Sequence, residues 1–195
     1  RSPPAAPLVG ARFLETRSGR VHVLDVGSGP AILLLHGSGR SIADWQEGLA
    51  DRLARAHRVI AYDDYGLGFS ERSDRFTYGY DLWVQEGVDV LDALGVDRAT
   101  VVGHSVGGAL AFLLASRHPE RVDHVVTIGT GMAIEPQQLA LLLPGVGEIA
   151  LALQPSFGDV HSERHRAALE AAFRIRGTRA ALLEYIRRQS TVDGL

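Results

Sequence analysis

The chain has 195 residues and a mass of 21.0 kDa, of which 46% is hydrophobic and 22% charged, the balance of one globular domain with a sizeable core rather than of a disordered chain. A formal net charge of −3 with no basic cluster argues against nucleic acid or an anionic membrane as partner. The absence of Cys excludes disulfides, a thiolate nucleophile and cysteine metal sites, and because all 20 basic residues are Arg, Schiff-base chemistry and a phosphate-loop lysine are excluded as well.

Residues 1–7 are proline-rich and read as an extended lead-in without the apolar core of a signal peptide. No apolar run reaches the ~18 residues of a membrane span, so the expectation is a protein that uses no membrane, with the cytoplasm as default location. Arg12 to Thr16 and Arg20 to Val26 alternate around Ser18-Gly19 and predict a β-hairpin. Ala31 to Leu35 is a continuous apolar run, the pattern of a strand buried on both faces, and is followed directly by His36-Gly37-Ser38-Gly39. The spacing of Ile42, Trp45, Leu49 and Leu53 predicts one helix over 41–55. A strand over His57 to Ala61 then leads into the glycine-rich loop Asp63 to Ser70, and Tyr80 to Leu94 is helical by spacing, with Gly95 as its stop.

Ala99 to Gly103 predicts the next strand, Gly107 to Arg117 a helix closed by His118-Pro119, and Val122 to Ile128 a further strand. Helices over 137–143, 163–175 and 179–188 follow, separated by Pro144-Gly145, Pro155 and Gly177. Strands alternating with helices and then helices alone imply a parallel α/β core over 1–133 and a helical segment over 134–195. Between the third parallel strand and its helix stands a single hydroxyl, in Gly103-His104-Ser105-Val106-Gly107. A strand that reverses into a helix over so few residues strains its central residue, and the flanking glycines relieve the crowding. This is the G-x-S-x-G elbow in the strand-to-helix context the motif requires, and it marks Ser105 as candidate nucleophile.

Three markers in order, His36-Gly37, the Asp64 to Ser70 loop and the Ser105 elbow, resemble the α/β-hydrolase superfamily over Arg12 to Gly131, with the helical stretch in the place of that family's cap. The resemblance implies an α/β-hydrolase fold and Ser105 as nucleophile. It also implies an oxyanion hole from the backbone N–H groups of Ser38 and Val106, where fixed donors stabilise the negative charge of a tetrahedral intermediate. Gly37, Gly39 and Met132 are expected beside the substrate. In that family an acid and then a His follow the nucleophile on loops after later strands. This chain stops at Leu195, two strand–helix units of roughly 30 residues short of them. The expectation is therefore the N-terminal portion and cap of a longer hydrolase, whose acid and base come from a C-terminal portion or a second chain.

The expected reaction is acyl transfer on small esters, lactones or related compounds, with no cofactor and no metal. Ser at the elbow disfavours dehalogenase and epoxide-hydrolase chemistry, which in this superfamily uses Asp there, whereas the H-G-S-G turn is similar to that of carbon–carbon-bond hydrolases of ring-fission diketones. The rival is a non-catalytic binder of a small molecule under the cap. A nucleotide- or flavin-binding protein would need a phosphate loop at a helix start, and Gly27-x-Gly29 and Gly66-x-Gly68 read as turns. His36 and His104 are expected to pack and hydrogen-bond, and His161 and His165 to lie on a solvated helix face. Glu135 is expected in solvent, and Trp45 and Trp83 in the core.

Overall fold

The computed structural model describes residues 10–130, 171–172 and 174–189. β1 (Ala11–Glu15) and β2 (Arg20–Gly27) form the expected antiparallel hairpin, with the Thr16 hydroxyl donating to Gly19 O at 2.8 Å across the turn. β3 (Ala31–Leu35), β4 (Arg58–Tyr62), β5 (Ala99–His104) and β6 (Val122–Ile128) run parallel to one another. The sheet has six strands in the order β1-β2-β4-β3-β5-β6, with β2 antiparallel to β4. The continuous apolar runs of β3 and β4 sit at its centre, buried on both faces as their composition requires. Both strands therefore end where β5 also ends, and that shared end carries the loops of interest.

Each face of the sheet has its own core. On one side α3 (Tyr80–Ala93) and α4 (Val106–Arg117) place Trp83, Leu91, Leu110 and Leu114 against Leu33, Ile60 and Val101. On the other, Ile42, Trp45 and Ala50 cover Leu34, Val59, Ala61 and Val102. Full burial of such a side chain contributes about 1.5–3 kcal/mol. The covering segment is not the single regular helix its periodicity predicts. It is α1 (Ala43–Trp45), a π-helical turn (Gln46–Ala50) and α2 (Asp51–Leu53). Gly48, at φ 115°, breaks the i→i−4 ladder inside that turn, and the wider turn shifts the buried phase by one position. Ala50 is fully buried while Leu49, expected in the core, is 37% exposed.

α5 (Thr178–Gln189) matches the helix expected over 179–188. Its Ala181, Leu182, Tyr185 and Ile186 join the α3 side of the core, Tyr185 lying 4.5 Å from the Trp83 ring. The helix expected over 137–143, and most of that over 163–175, lie outside the described residues, as do Met132, Glu135, His161 and His165. None of the described helices is long and apolar enough to cross a membrane.

Candidate active site

Ser105 is the only non-glycine residue at positive φ among the described residues, with φ 53° and ψ −117°. It holds this backbone because both neighbours of the turn press on it. A Cβ on Gly103 would lie 2.1 Å from the Gly107 carbonyl oxygen, and one on Gly107 would lie 2.2 Å from Leu35 O. Only glycine lets α4 start this close to the ends of β5 and β3. Ser105 N–H donates to Ile128 O of β6 at 2.9 Å, and Ser105 O receives the Gly108 N–H at 2.9 Å. The hydroxyl is thus set at the head of α4, next to the Val106 N–H and at the positive end of the helix dipole.

The loop after β3 comes directly to this serine. A Cβ on Gly37 would sit 3.5 Å from Ser105 Cβ and 3.0 Å from His104 Nδ1, so the Gly37 backbone is in contact with the elbow. Ser38 is half-buried beside it, and Gly39 is buried at φ 68°. Of the expected residues, Gly37 is brought against Ser105 and Ser38 and Gly39 follow it in the loop, while Met132 lies outside the described residues.

His36 is fully buried under the loop. Its Nε2 receives the Asp64 N–H at 3.1 Å, which requires a lone pair there, so Nδ1 carries the proton and donates it to Gly37 O at 2.8 Å. Arg40 N–H donates to the same carbonyl at 3.1 Å. In a trans peptide the C=O and the following N–H point in opposite directions. A Gly37 carbonyl held by His36 and Arg40 thereby fixes the direction of the Ser38 N–H. Burial disfavours a charged His36 and the carboxylates of Asp64 and Asp63 outweigh that, raising its pKa. Protonation of Nε2 would nonetheless cost the Asp64 N–H bond.

Asp63 ties three segments together. Its Oδ1 accepts the Ile42 N–H at 2.7 Å, and its Oδ2 accepts the Phe69 N–H at 2.8 Å and hydrogen-bonds His22 Nδ1 at 2.7 Å. Burial opposes its ionisation, but the His22 contact, with help from His36 and Ile42, holds its pKa below the ordinary carboxylate value. Its neighbour Asp64 has no such donors, and burial pushes it up to about 6 against the opposing pull of His36.

Beside Ser105 opens a cleft of about 220 Å³ lined by Arg40, Asp44, Trp45, His104 and Ile128. Arg40 Nη1 pairs with Asp44 Oδ1 at 3.2 Å. Burial and the Arg40 charge lower the pKa of His104, which keeps its imidazole neutral near pH 7. The expected role of His104 was packing, and none of the other four residues was singled out as lining. Their only signal was the i, i+4 spacing of Arg40 and Asp44. Trp45 and Trp83 are both the core residues expected, and the Trp83 Nε1–H donates to Tyr65 O at 3.0 Å. Among the described residues no group of three or more His, Asp or Glu is arranged to hold a metal ion.

The model of the alpha/beta hydrolase fold family matches residues 30–168, and the chain belongs to that family. Its relatives include hydrolases. It is 39% identical over 131 residues to 2-hydroxymuconate semialdehyde hydrolase of Pseudomonas sp. (strain CF600), covering 66% of this chain and 46% of that one. It is 28% identical over 185 residues to rat bifunctional epoxide hydrolase 2, covering 87% of this chain and 33% of that protein. The chain thus spans less than half the length of these relatives. In structure, an epoxide hydrolase of the same superfamily from metagenomes of hot environments superposes with a TM-score of 0.78 over 94% of this chain and 73% of the other, at 20% identity, a likeness of fold.

Proposed function

We propose that Ser105 is the nucleophile of a serine-dependent hydrolase that works through an acyl-enzyme on small esters, lactones or related acyl compounds, including carbon–carbon-bond substrates. The carrying observation is the strained Ser105 backbone at the head of α4, with the His36–Gly39 loop in contact with it. Ser105 Oγ attacks the substrate carbonyl carbon as its proton passes to a base. The Ser38 and Val106 N–H groups receive the oxyanion, the leaving group departs with a proton, and water releases the acid from the serine. Removing one such N–H donor typically costs about 3 kcal/mol of transition-state stabilisation.

The base is not one of the buried histidines: both ring nitrogens of His36 are held, by Gly37 and Asp64, and His22 is fully inaccessible, its ring packed against Phe13 and Phe69. In this reading the base and its acid come from polypeptide outside the described residues, a further portion of the same protein or a second chain. Ser at the elbow separates this chemistry from that of the epoxide-hydrolase neighbours, and the similarity to 2-hydroxymuconate semialdehyde hydrolase supports a small carbonyl substrate. The second reading, a small-molecule binder without catalysis, draws on the lack of a triad acid and base placed against Ser105 among the described residues. Mixing p-nitrophenyl acetate with a polypeptide of the relatives' length that contains this chain, followed by acid quench and peptide mass mapping, separates the two. An acetyl group on Ser105 that Ser105→Ala abolishes supports the hydrolase; folded protein with no adduct supports the binder.

A further inference from the structure

Glu86 lies on the buried face of α3, fully inaccessible, between Trp83, Val84, Gly87 and Val88. An apolar residue would suit that face. What the carboxyl group does there is accept the Tyr65 N–H through Oε2 at 2.9 Å. The preceding N–H, that of Asp64, donates to His36 Nε2 at 3.1 Å, and the opposite ring nitrogen donates to Gly37 O at 2.8 Å. One line of short contacts therefore runs from α3 through two consecutive N–H groups of the β4 loop and an imidazole ring to the Gly37–Ser38 peptide.

We propose that Glu86 is a positioning residue for the Ser38 N–H, acting through the Tyr65 and Asp64 backbone and the His36 ring on the Gly37–Ser38 peptide. The proposal rests on the reading of that N–H as an oxyanion donor. The line has no slack: its donors and acceptors are buried, and a buried N–H deprived of its acceptor pulls the loop toward another arrangement. Removing the Glu86 acceptor leaves Tyr65 N–H orphaned and frees the adjacent Asp64 peptide to rotate, which withdraws the donor that keeps His36 in its Nδ1–H tautomer.

The surroundings of the carboxyl group favour its neutral form. Around it stand Asp63 and Asp64 from the loop, Asp89 from its own helix and the phenols of Tyr62 and Tyr65, while Tyr185 of α5 faces Asp64; none of these is a cation. Oε1 has no hydrogen-bond partner, and neither has Asp64 Oδ1. Burial first, and Asp64 second, raise the Glu86 pKa well above the ordinary carboxyl value. A raised native pKa gives stability that is complete below the unfolded carboxyl range and is lost as the pH climbs through the native pKa. Glu86→Gln keeps the acceptor and the neutral state and removes that loss.

The test is nuclear magnetic resonance on the 15N-labelled chain as wild type, E86Q and E86L. In E86L the Tyr65 amide exchanges at least tenfold faster than any change at Leu33 and Ile60 accounts for. The His36 ring shifts from one tautomer to a mixture, and the Ser38 amide order parameter falls from about 0.85 to below about 0.6. E86Q restores all three, because its amide oxygen accepts the Tyr65 N–H as the carboxyl oxygen does. Where E86L does not fold, E86D, whose carboxyl group falls one methylene short of the Tyr65 N–H, is read in its place with the same expected signs. A uniform change across the sheet amides, or an E86L effect that stops at Tyr65 and leaves His36 and Ser38 as they were, overturns the proposal. If the coupling holds and Ser105 forms no acyl adduct, it is the hydrolase reading that fails.

Discussion

The two flanks of Ser105 are built differently. Toward β3 and β4, the loops are fixed by buried polar groups: Asp63 holds Ile42, Phe69 and His22, His36 holds Gly37 and Asp64, and Glu86 holds Tyr65. Toward β6, Val126 and Ile128 are 47% and 43% exposed at the last strand of the sheet, and Phe112 of α4 is 54% exposed. The contact of Ser105 with that flank is its N–H bond to Ile128 O. The candidate Ser38 donor is thus held from the β3 and β4 side, by residues whose partners all lie within 10–130, while Ser105 is also tied to β6 through Ile128 O.

Substitutions that strike the fixed flank should cost far more than those on the open one. The largest effect is expected from Gly103→Val, whose side chain meets the Gly107 carbonyl: a stability loss of ~3 kcal/mol or more by urea denaturation, through overpacking at backbone that has nowhere to move. Asp63→Ala comes close to it, at about 3 kcal/mol, because it leaves Ile42 and Phe69 N–H and His22 buried without their acceptor. The pH profile sharpens the same point. Since Asp63 has a lowered native pKa, its stabilisation is present above the ordinary carboxylate range and is lost as the pH falls through the native value; Asp63→Asn removes that acid-side dependence.

Ser105→Gly runs the other way. Relief of the positive φ should stabilise the chain by about 1 kcal/mol while abolishing acylation, the mark of a residue kept for chemistry at a cost to the fold. The smallest change is expected at Ile128→Thr, within about 0.5 kcal/mol, against 1 kcal/mol or more for Val102→Thr, on the adjacent strand and 8% exposed. Equal costs at the two positions would erase the contrast between the flanks.

Much of this was legible in the sequence, and for local reasons. The Ala31–Leu35 and Val122–Ile128 strands stand at the bounds their apolar runs predict, and the elbow is written in adjacent residues, where a glycine on either side of a lone serine states its own backbone requirement. The π-helical turn was hidden because Gly48 sits inside a periodicity that looks regular, and one inserted residue moves the buried position from Leu49 to Ala50. The cleft was hidden for a different reason. Arg40, Asp44 and Trp45 come from the segment after β3, His104 from the end of β5 and Ile128 from the end of β6, so tertiary structure alone joins them. Glu86 gave no signal because a carboxylate amid helical spacing reads as a solvated face, and its partner Tyr65 lies on a separate loop.

The most direct measurement is fluorophosphonate labelling followed by peptide mass mapping, on a polypeptide of the relatives' length that contains these 195 residues. A single adduct on Ser105, absent in Ser105→Ala and formed more slowly in E86L than in E86Q, is the predicted result. Folded protein that takes no adduct, or takes it at another residue, would contradict the assignment of Ser105 as the nucleophile.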